Sequence, residues 1–296
     1  MAGIAGNQAI HVRRTQRQEV RGERVEVNGM WISYRVEGSG SPCLVMPATW
    51  GLDYQLYTSF LPLLEPQLQL IFTDPRGVAE SGPVRSPEEF SAEVLLSDIE
   101  ALRVALGYEK WIVFGHSGGG FVALKYAIVH PQRVSRLVLA STAASGRYFQ
   151  QAIWQEEHIQ NRFIRVARDT YREQPTIENF KRFLREIWKQ SLFDPEKNVF
   201  LETYLRDSNI NIERSKHFSN FERDQFDVTD QLRRVQVPTL VIGGKVDPQL
   251  PPKYTEELAR LLPEARFVTF EESGHFPWID EPAGFVRIVT DFLDSA

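Results

Sequence analysis

Five residues, Gly115-His116-Ser117-Gly118-Gly119, constrain this chain more than any others. They directly follow a short apolar run, Trp111-Ile112-Val113-Phe114, and directly precede a helical pattern through Val122, Leu124 and Ala127. A strand, a sharp turn and a helix therefore follow one another without a linker. A serine at such a corner sits on strained backbone, so its neighbours must be small. Gly115, Gly118, Gly119 and Gly120 meet that demand. The spacing also fits G-x-S-x-G, which exposes the serine at the carboxyl end of a strand. The Gly118 amide then lies at a helix N-terminus, where it can donate to a developing oxyanion.

The rest of the chain provides a sheet for that corner. Cys43 to Met46, Leu70 to Phe72, Trp111 to Phe114, Arg136 to Ala140, Thr239 to Ile242 and Arg266 to Phe270 are short and mostly continuous in apolar residues. That is the pattern of parallel strands buried on both faces. Helical patterns separate several of them. Ser86-Pro87-Glu88-Glu89 has the form of a capping box opening a helix through Leu106, closed by Gly107. Further helices are expected from Ser117 to His130, from Pro252 to Leu262 and from Glu281 to Leu293. Near the start, Arg24 to Val36 alternates around Asn28-Gly29 and reads as a hairpin, half exposed at a sheet edge. Alternating strands and helices imply an α/β fold with a mostly parallel sheet and helices on both faces.

Two segments stand apart. Residues 1–22 carry Arg13, Arg14 and Arg17 but no apolar stretch of signal-peptide length, and are expected to be a flexible arm. Residues 145–231 hold no convincing strand. They carry aromatics and charges at helical spacing, as in Phe180-Lys181-Arg182-Phe183-Leu184-Arg185-Glu186-Ile187-Trp188. They are expected to form a helical cap over a core made of residues 23–144 and 232–296.

A serine nucleophile needs a base, and the base needs an orienting carboxylate. Of the six histidines, His11 lies in the arm, His116 inside the turn, His130 beside Pro131, and His158 and His217 in the cap segment. His275 follows the last apolar run and precedes the last helix. Asp247 follows the run that ends at Gly244. Ser117, Asp247 and His275 thus come from three separate strand ends, in the order Ser…Asp…His.

From about Arg24 to Leu293 the chain resembles the α/β-hydrolase superfamily. The likeness rests on that triad and on Thr73-Asp74-Pro75-Arg76-Gly77-Val78-Ala79-Glu80-Ser81, which is similar to the D-x-R-G-x-G-x-S turn with Ala79 in place of a glycine. It also rests on Phe226-Asp227-Val228-Thr229-Asp230 leading into the strand at Thr239. His217-Phe218-Ser219-Asn220 is similar to a cap segment of proline iminopeptidases. The resemblance implies an α/β-hydrolase fold with a mostly parallel eight-stranded sheet and an inserted helical cap. It implies Ser117 as nucleophile, His275 as base and Asp247 as its orienting acid, with Asp74 and Arg76 bracing loops. Position matching implies Thr49 as the second oxyanion donor beside Gly118. Here the chain departs from the usual His-Gly, reading Pro47-Ala48-Thr49-Trp50-Gly51. It also has Gly118 where proline iminopeptidases tend to have Trp. Trp50, His116 and Phe276, each beside a site residue, are the expected substrate contacts.

The chemistry expected is hydrolysis of an ester or lactone of a small, partly hydrophobic substrate, given the aromatic cap. A proline-iminopeptidase-like aminopeptidase would need an acidic residue for the substrate ammonium, with Glu213 and Glu222 as candidates. A C–C bond hydrolase would use the same triad, and a non-catalytic binding protein of the same fold is the remaining alternative. Aspartate-nucleophile chemistries are disfavoured by the serine. Ligand spacing for a metal is absent, no GxGxxG occurs, and neither metal nor cofactor is expected. A net charge of −5, from 34 basic and 39 acidic residues, gives no reason to expect nucleic acid or an anionic membrane. The single cysteine, Cys43, rules out an intrachain disulfide and fits a cytoplasmic setting. Sequence does not speak to the oligomeric state.

Overall fold

The computed structural model describes residues 22–59, 61–155 and 161–295. The expected arm, apart from Gly22, lies outside the described residues, as does His158. One sheet of eight strands organises the rest: β1 Glu23–Val27, β2 Met30–Glu37, β3 Ser41–Val45, β4 Leu68–Thr73, β5 Trp111–His116, β6 Val134–Ala140, β7 Thr239–Gly244 and β8 Ala265–Phe270. Their spatial order is β1-β2-β4-β3-β5-β6-β7-β8. β2 pairs antiparallel with both β1 and β4, and every pair from β4 to β8 is parallel. The continuous apolar runs account for this. Leu44, Val113, Leu137, Leu139 and Val241 are fully buried at the middle of the sheet, as residues covered on both faces must be.

Two strands differ from expectation. β2 is not an edge strand, because its far side pairs with β4 from Tyr34 to Glu37; among the described residues β1 forms that edge of the sheet. β8 is not buried on both faces. It pairs with β7 alone and exposes Arg266 and Thr269, so it forms the opposite edge. Polar residues on an edge strand blunt its tendency to pair with another chain.

The first helices are α1 Ala92–Ala105 and α2 Gly118–Val129. α1 starts later than the capping-box pattern suggests. Glu89, which would close that box, accepts instead from the Arg85 amide at 3.0 Å. Pro87–Phe90 is left as a 3₁₀ turn, and Ser91 caps α1 by accepting from the Val94 amide at 3.4 Å.

Between β6 and β7 lie α3 Arg162–Glu173, α4 Ile177–Trp188, α5 Val199–Asp207 and α6 Ile212–His217, followed by a π-helical turn at Phe218–Glu222. No strand interrupts them among the described residues. α4 buries Phe180, Phe183, Leu184, Ile187 and Trp188, the i, i+3, i+4, i+7 stripe that its sequence carries. These side chains and those of the sheet belong to one continuous apolar cluster. The excursion begins and ends at one place, where Ser145 and Asp227 form an isolated antiparallel bridge. After β7 come α7 Pro252–Leu261, α8 Pro277–Asp280 and α9 Pro282–Asp294. No helix among the described residues is long and apolar enough to cross a membrane.

Candidate active site

Ser117 stands between β5 and α2 at φ 51°, ψ −125°, a conformation that costs an L-residue energy and persists only where its surroundings impose it. The imposing contacts are visible. The Ser117 amide donates to the Ala140 carbonyl at 3.0 Å, and the Ser117 carbonyl accepts from the Thr142 hydroxyl at 2.8 Å and the Gly120 amide at 2.9 Å. A Cβ on Gly115 would overlap Ala123 and Gly120, so the turn closes only with glycine there.

Asp247 and His275 form the tightest polar pair at this sheet edge. His275 Nδ1 lies 2.7 Å from Asp247 Oδ2, and both side chains are almost wholly buried. Asp247 Oδ1 accepts from the amides of Gln249 and Leu250 at 2.9 Å each, so the carboxylate is fixed in the turn after β7. A carboxylate can only accept, so Nδ1 carries the proton and Nε2 is the basic nitrogen. The His275 loop is held twice more. Its amide donates to the Ser191 carbonyl at 2.7 Å, and the Gly274 amide donates to Asp280 Oδ2 at 2.9 Å. Asp280 also accepts from the Phe193 and Asp194 amides, which ties this loop to the segment after α4.

His116 is buried against His275, with ring centroids 4.7 Å apart. Its Nε2 faces the His275 carbonyl at 2.9 Å and its Nδ1 faces the Tyr57 hydroxyl at 3.4 Å. The carbonyl requires Nε2 to donate, and Nδ1 then accepts from tyrosine. Burial, and secondarily the charge of His275, pushes the His116 pKa well below the usual histidine value.

Ser117, His275, Gly118, Thr49, Trp50, His116 and Phe276 all line one pocket; Asp247 stands behind His275. All the sequence-predicted site residues are therefore brought together. Trp50 points away from the sheet into an aromatic cluster with Phe149, Trp154, Phe180 and Phe218, at centroid distances from 5.7 to 6.4 Å. The Pro47–Gly51 loop that carries it is fastened from outside: the Gly51 carbonyl accepts from the Asn211 amide at 2.9 Å. Gly51 has φ 71°, and a Cβ there would run into the Asn211 carbonyl, which explains why a glycine stands at this place.

Other walls were not singled out from sequence: Leu56, Tyr57, Leu184, Ile187 and Gln249. Leu184 and Ile187 lie on the apolar stripe of α4, a signal that marks burial but not a pocket. Gln249 lies on the Asp247 turn and donates to the Ser191 hydroxyl at 3.0 Å. Among the described residues that line the pocket, none is Asp, Glu, Lys or Arg. The two acidic candidates for an ammonium site are elsewhere. Glu213 is exposed and pairs with Lys216 at 2.8 Å; Glu222 accepts from the Ala92 amide at the start of α1.

Comparison with known proteins agrees with this architecture. A family model described as alpha/beta hydrolase fold matches residues 42–282. The chain is 27% identical to the AB hydrolase superfamily protein YclE of Bacillus subtilis over 291 residues, covering 90% of this chain and 97% of that protein. It is 25% identical to a proline iminopeptidase of Heyndrickxia coagulans, covering 92% and 98%. The solved structure of an alpha/beta fold family hydrolase from Bacillus anthracis superposes with a TM-score of 0.81 at 24% identity, covering 92% of this chain and 98% of that one.

Proposed function

The chain belongs to the alpha/beta hydrolase fold family, and from that premise we propose that it is a serine hydrolase cleaving a carboxylic ester or lactone of a small, partly hydrophobic, uncharged substrate. Ser117 Oγ attacks the carbonyl carbon while His275 Nε2 accepts its proton, and Asp247 holds the imidazole in the required tautomer. The Gly118 and Thr49 amides stabilise the oxyanion; losing one such donor costs about 3 kcal/mol of transition-state stabilisation. The alcohol leaves with the proton from His275, and water releases the acyl group by the same steps in reverse order. Residues 145–231 act as the cap that supplies the aromatic wall.

One observation supports the ester reading over its rivals. The described lining is mostly aromatic and aliphatic, and its polar side chains include no carboxylate, ammonium or guanidinium. An aminopeptidase substrate brings an ammonium, and burying that charge without a partner is costly. A charged dicarboxylate substrate meets the same penalty for want of a cation. This sets the proposed reaction apart from that named for the iminopeptidase relative.

The test has two parts. A fluorophosphonate probe should label Ser117 in the folded protein, and Ser117→Ala and His275→Ala should each lower kcat by at least about 10³-fold with folding kept. Absence of an adduct would mean a binding protein rather than an enzyme. A panel of p-nitrophenyl esters beside proline and alanine nitroanilides then decides the bond. Nitroanilide turnover without ester turnover would replace this reading with the peptidase one.

A further inference from the structure

We propose that the Thr49 side-chain hydroxyl is a third oxyanion donor, so that the hole is built from two amides and one hydroxyl. This rests on the serine-hydrolase reading and extends it to a side chain. Thr49 is 4% exposed, and its Oγ1 has no hydrogen-bond partner within the protein. Two other buried hydroxyls at this sheet edge have partners, Thr142 donating to the Ser117 carbonyl and Ser191 to the Ile187 carbonyl, whereas Ser141 Oγ does not, but Ser141 does not line the pocket. A buried unpaired hydroxyl calls for an explanation, and its place in the pocket with Ser117 points to a partner that arrives with the substrate.

The place of Oγ1 says what that partner is. It occupies the space that a Cβ on Gly118 would fill, against the residue that follows the nucleophile. It lines the same pocket as Ser117 and His275. In the proposed complex, an oxygen held by the Gly118 amide also accepts from the Thr49 hydroxyl. When Ser117 Oγ bonds to the carbonyl carbon, the carbonyl π pair moves onto that oxygen and the serine proton moves to His275. The Thr49 proton stays on Oγ1 and is shared with the new negative charge. On collapse the pair returns, the C–O bond to the alcohol breaks, and the hydroxyl is released unchanged. The same placement couples residues 49 and 118: a side chain at 118 requires the γ-group at position 49 to move aside.

The variant that tests this is Thr49→Val, equal in shape and unable to donate. Its kcat on a p-nitrophenyl ester should fall by about 10²-fold with KM nearly unchanged, as expected for a contact made only in the transition state. Affinity for a trifluoromethyl ketone, which captures Ser117 as a tetrahedral adduct, should fall in parallel. Thr49→Ser should restore most of both. Thr49→Ala, checked by thermal melting, stands in if the valine variant does not fold. Unchanged kcat and ketone affinity in folded Thr49→Val would overturn the proposal and leave the serine hydrolase intact. So would a serine variant as poor as valine, or a defect confined to deacylation, which would make the hydroxyl a holder of water. If the wild type neither turns over esters nor takes the fluorophosphonate, the parent reading fails instead.

Discussion

At the scale of single residues, the site mixes groups whose roles follow from where strands end with groups whose roles follow only from contact. Asp247 and His275 are of the first kind. Each follows its own buried strand, so order along the chain was enough to pair them, and their atoms lie 2.7 Å apart. The Thr49 hydroxyl is of the second kind, because no pattern in Pro47-Ala48-Thr49-Trp50-Gly51 says which way it faces. Asp74 shows the cost of such contacts elsewhere. It is buried, its Oδ1 accepts from the Tyr54 amide at 2.8 Å, and burial, with the nearby charge of Asp53, raises its pKa well above the usual carboxylate value. A raised folded value means that the native state binds the proton more tightly than the unfolded chain does. The group is harmless below the unfolded value and destabilises the fold as pH rises through the folded one. Asp74→Asn keeps the acceptor and removes the charge. It should raise the melting temperature near about pH 8 and change it little near about pH 4, as followed by circular dichroism. A melting temperature lowered equally at both would show that the carboxylate is needed in its charged form.

At the scale of elements, periodicity located the eight strands and the longer helices of the core, but not the short α8 or how the elements are finished. The start of α1 illustrates why. Ser86, Pro87 and Glu89 form a plausible cap in sequence, yet Arg85 and Arg76 claim Glu89, and the helix begins after Ser91. A second cap comes from far away. Glu222, on the π-helical turn after α6, accepts from the Ala92 amide at 2.5 Å and joins the excursion to the sheet's helical layer. A carboxylate there also meets the positive end of the helix. Glu222→Ala should destabilise the protein by about 1 kcal/mol, the usual worth of an N-cap, read as a lower urea midpoint at unchanged slope. Ester turnover should persist, since Glu222 does not line the pocket. Loss of turnover would mean that the turn carrying Phe218 positions Trp50 through the same contact. The edge positions of β2 and β8 were misread for a related reason: a strand's place in a sheet depends on which neighbours remain, and alternation alone does not encode it.

At the scale of the molecule, stability should be graded. The central strands β3, β5, β6 and β7 are largely buried, whereas α3 presents a charged face to solvent and α6 is only six residues long. Amides in those four strands should exchange with solvent only on global unfolding, and those of α3 and α6 through smaller openings. Hydrogen exchange read by mass spectrometry checks this; uniform protection across both regions would mean that they open as one unit. The division of the chain into strand-helix repeats and a strandless excursion was legible because hydrophobic period changes between them. That the two share one apolar cluster was not, since both faces of such a contact look like ordinary amphipathic stripes.

The bridge between Ser145 and Asp227 gives this arrangement a consequence for engineering. Because the excursion leaves and returns at a single point, its two ends are already as close as a hairpin's. Changing its length alters the closure entropy only slowly, by about 0.6 kcal/mol for each doubling. A replacement joined at 145 and 227 must still supply the contacts that hold the site, the Ser191 carbonyl on the His275 amide and the Asn211 amide on the Gly51 carbonyl.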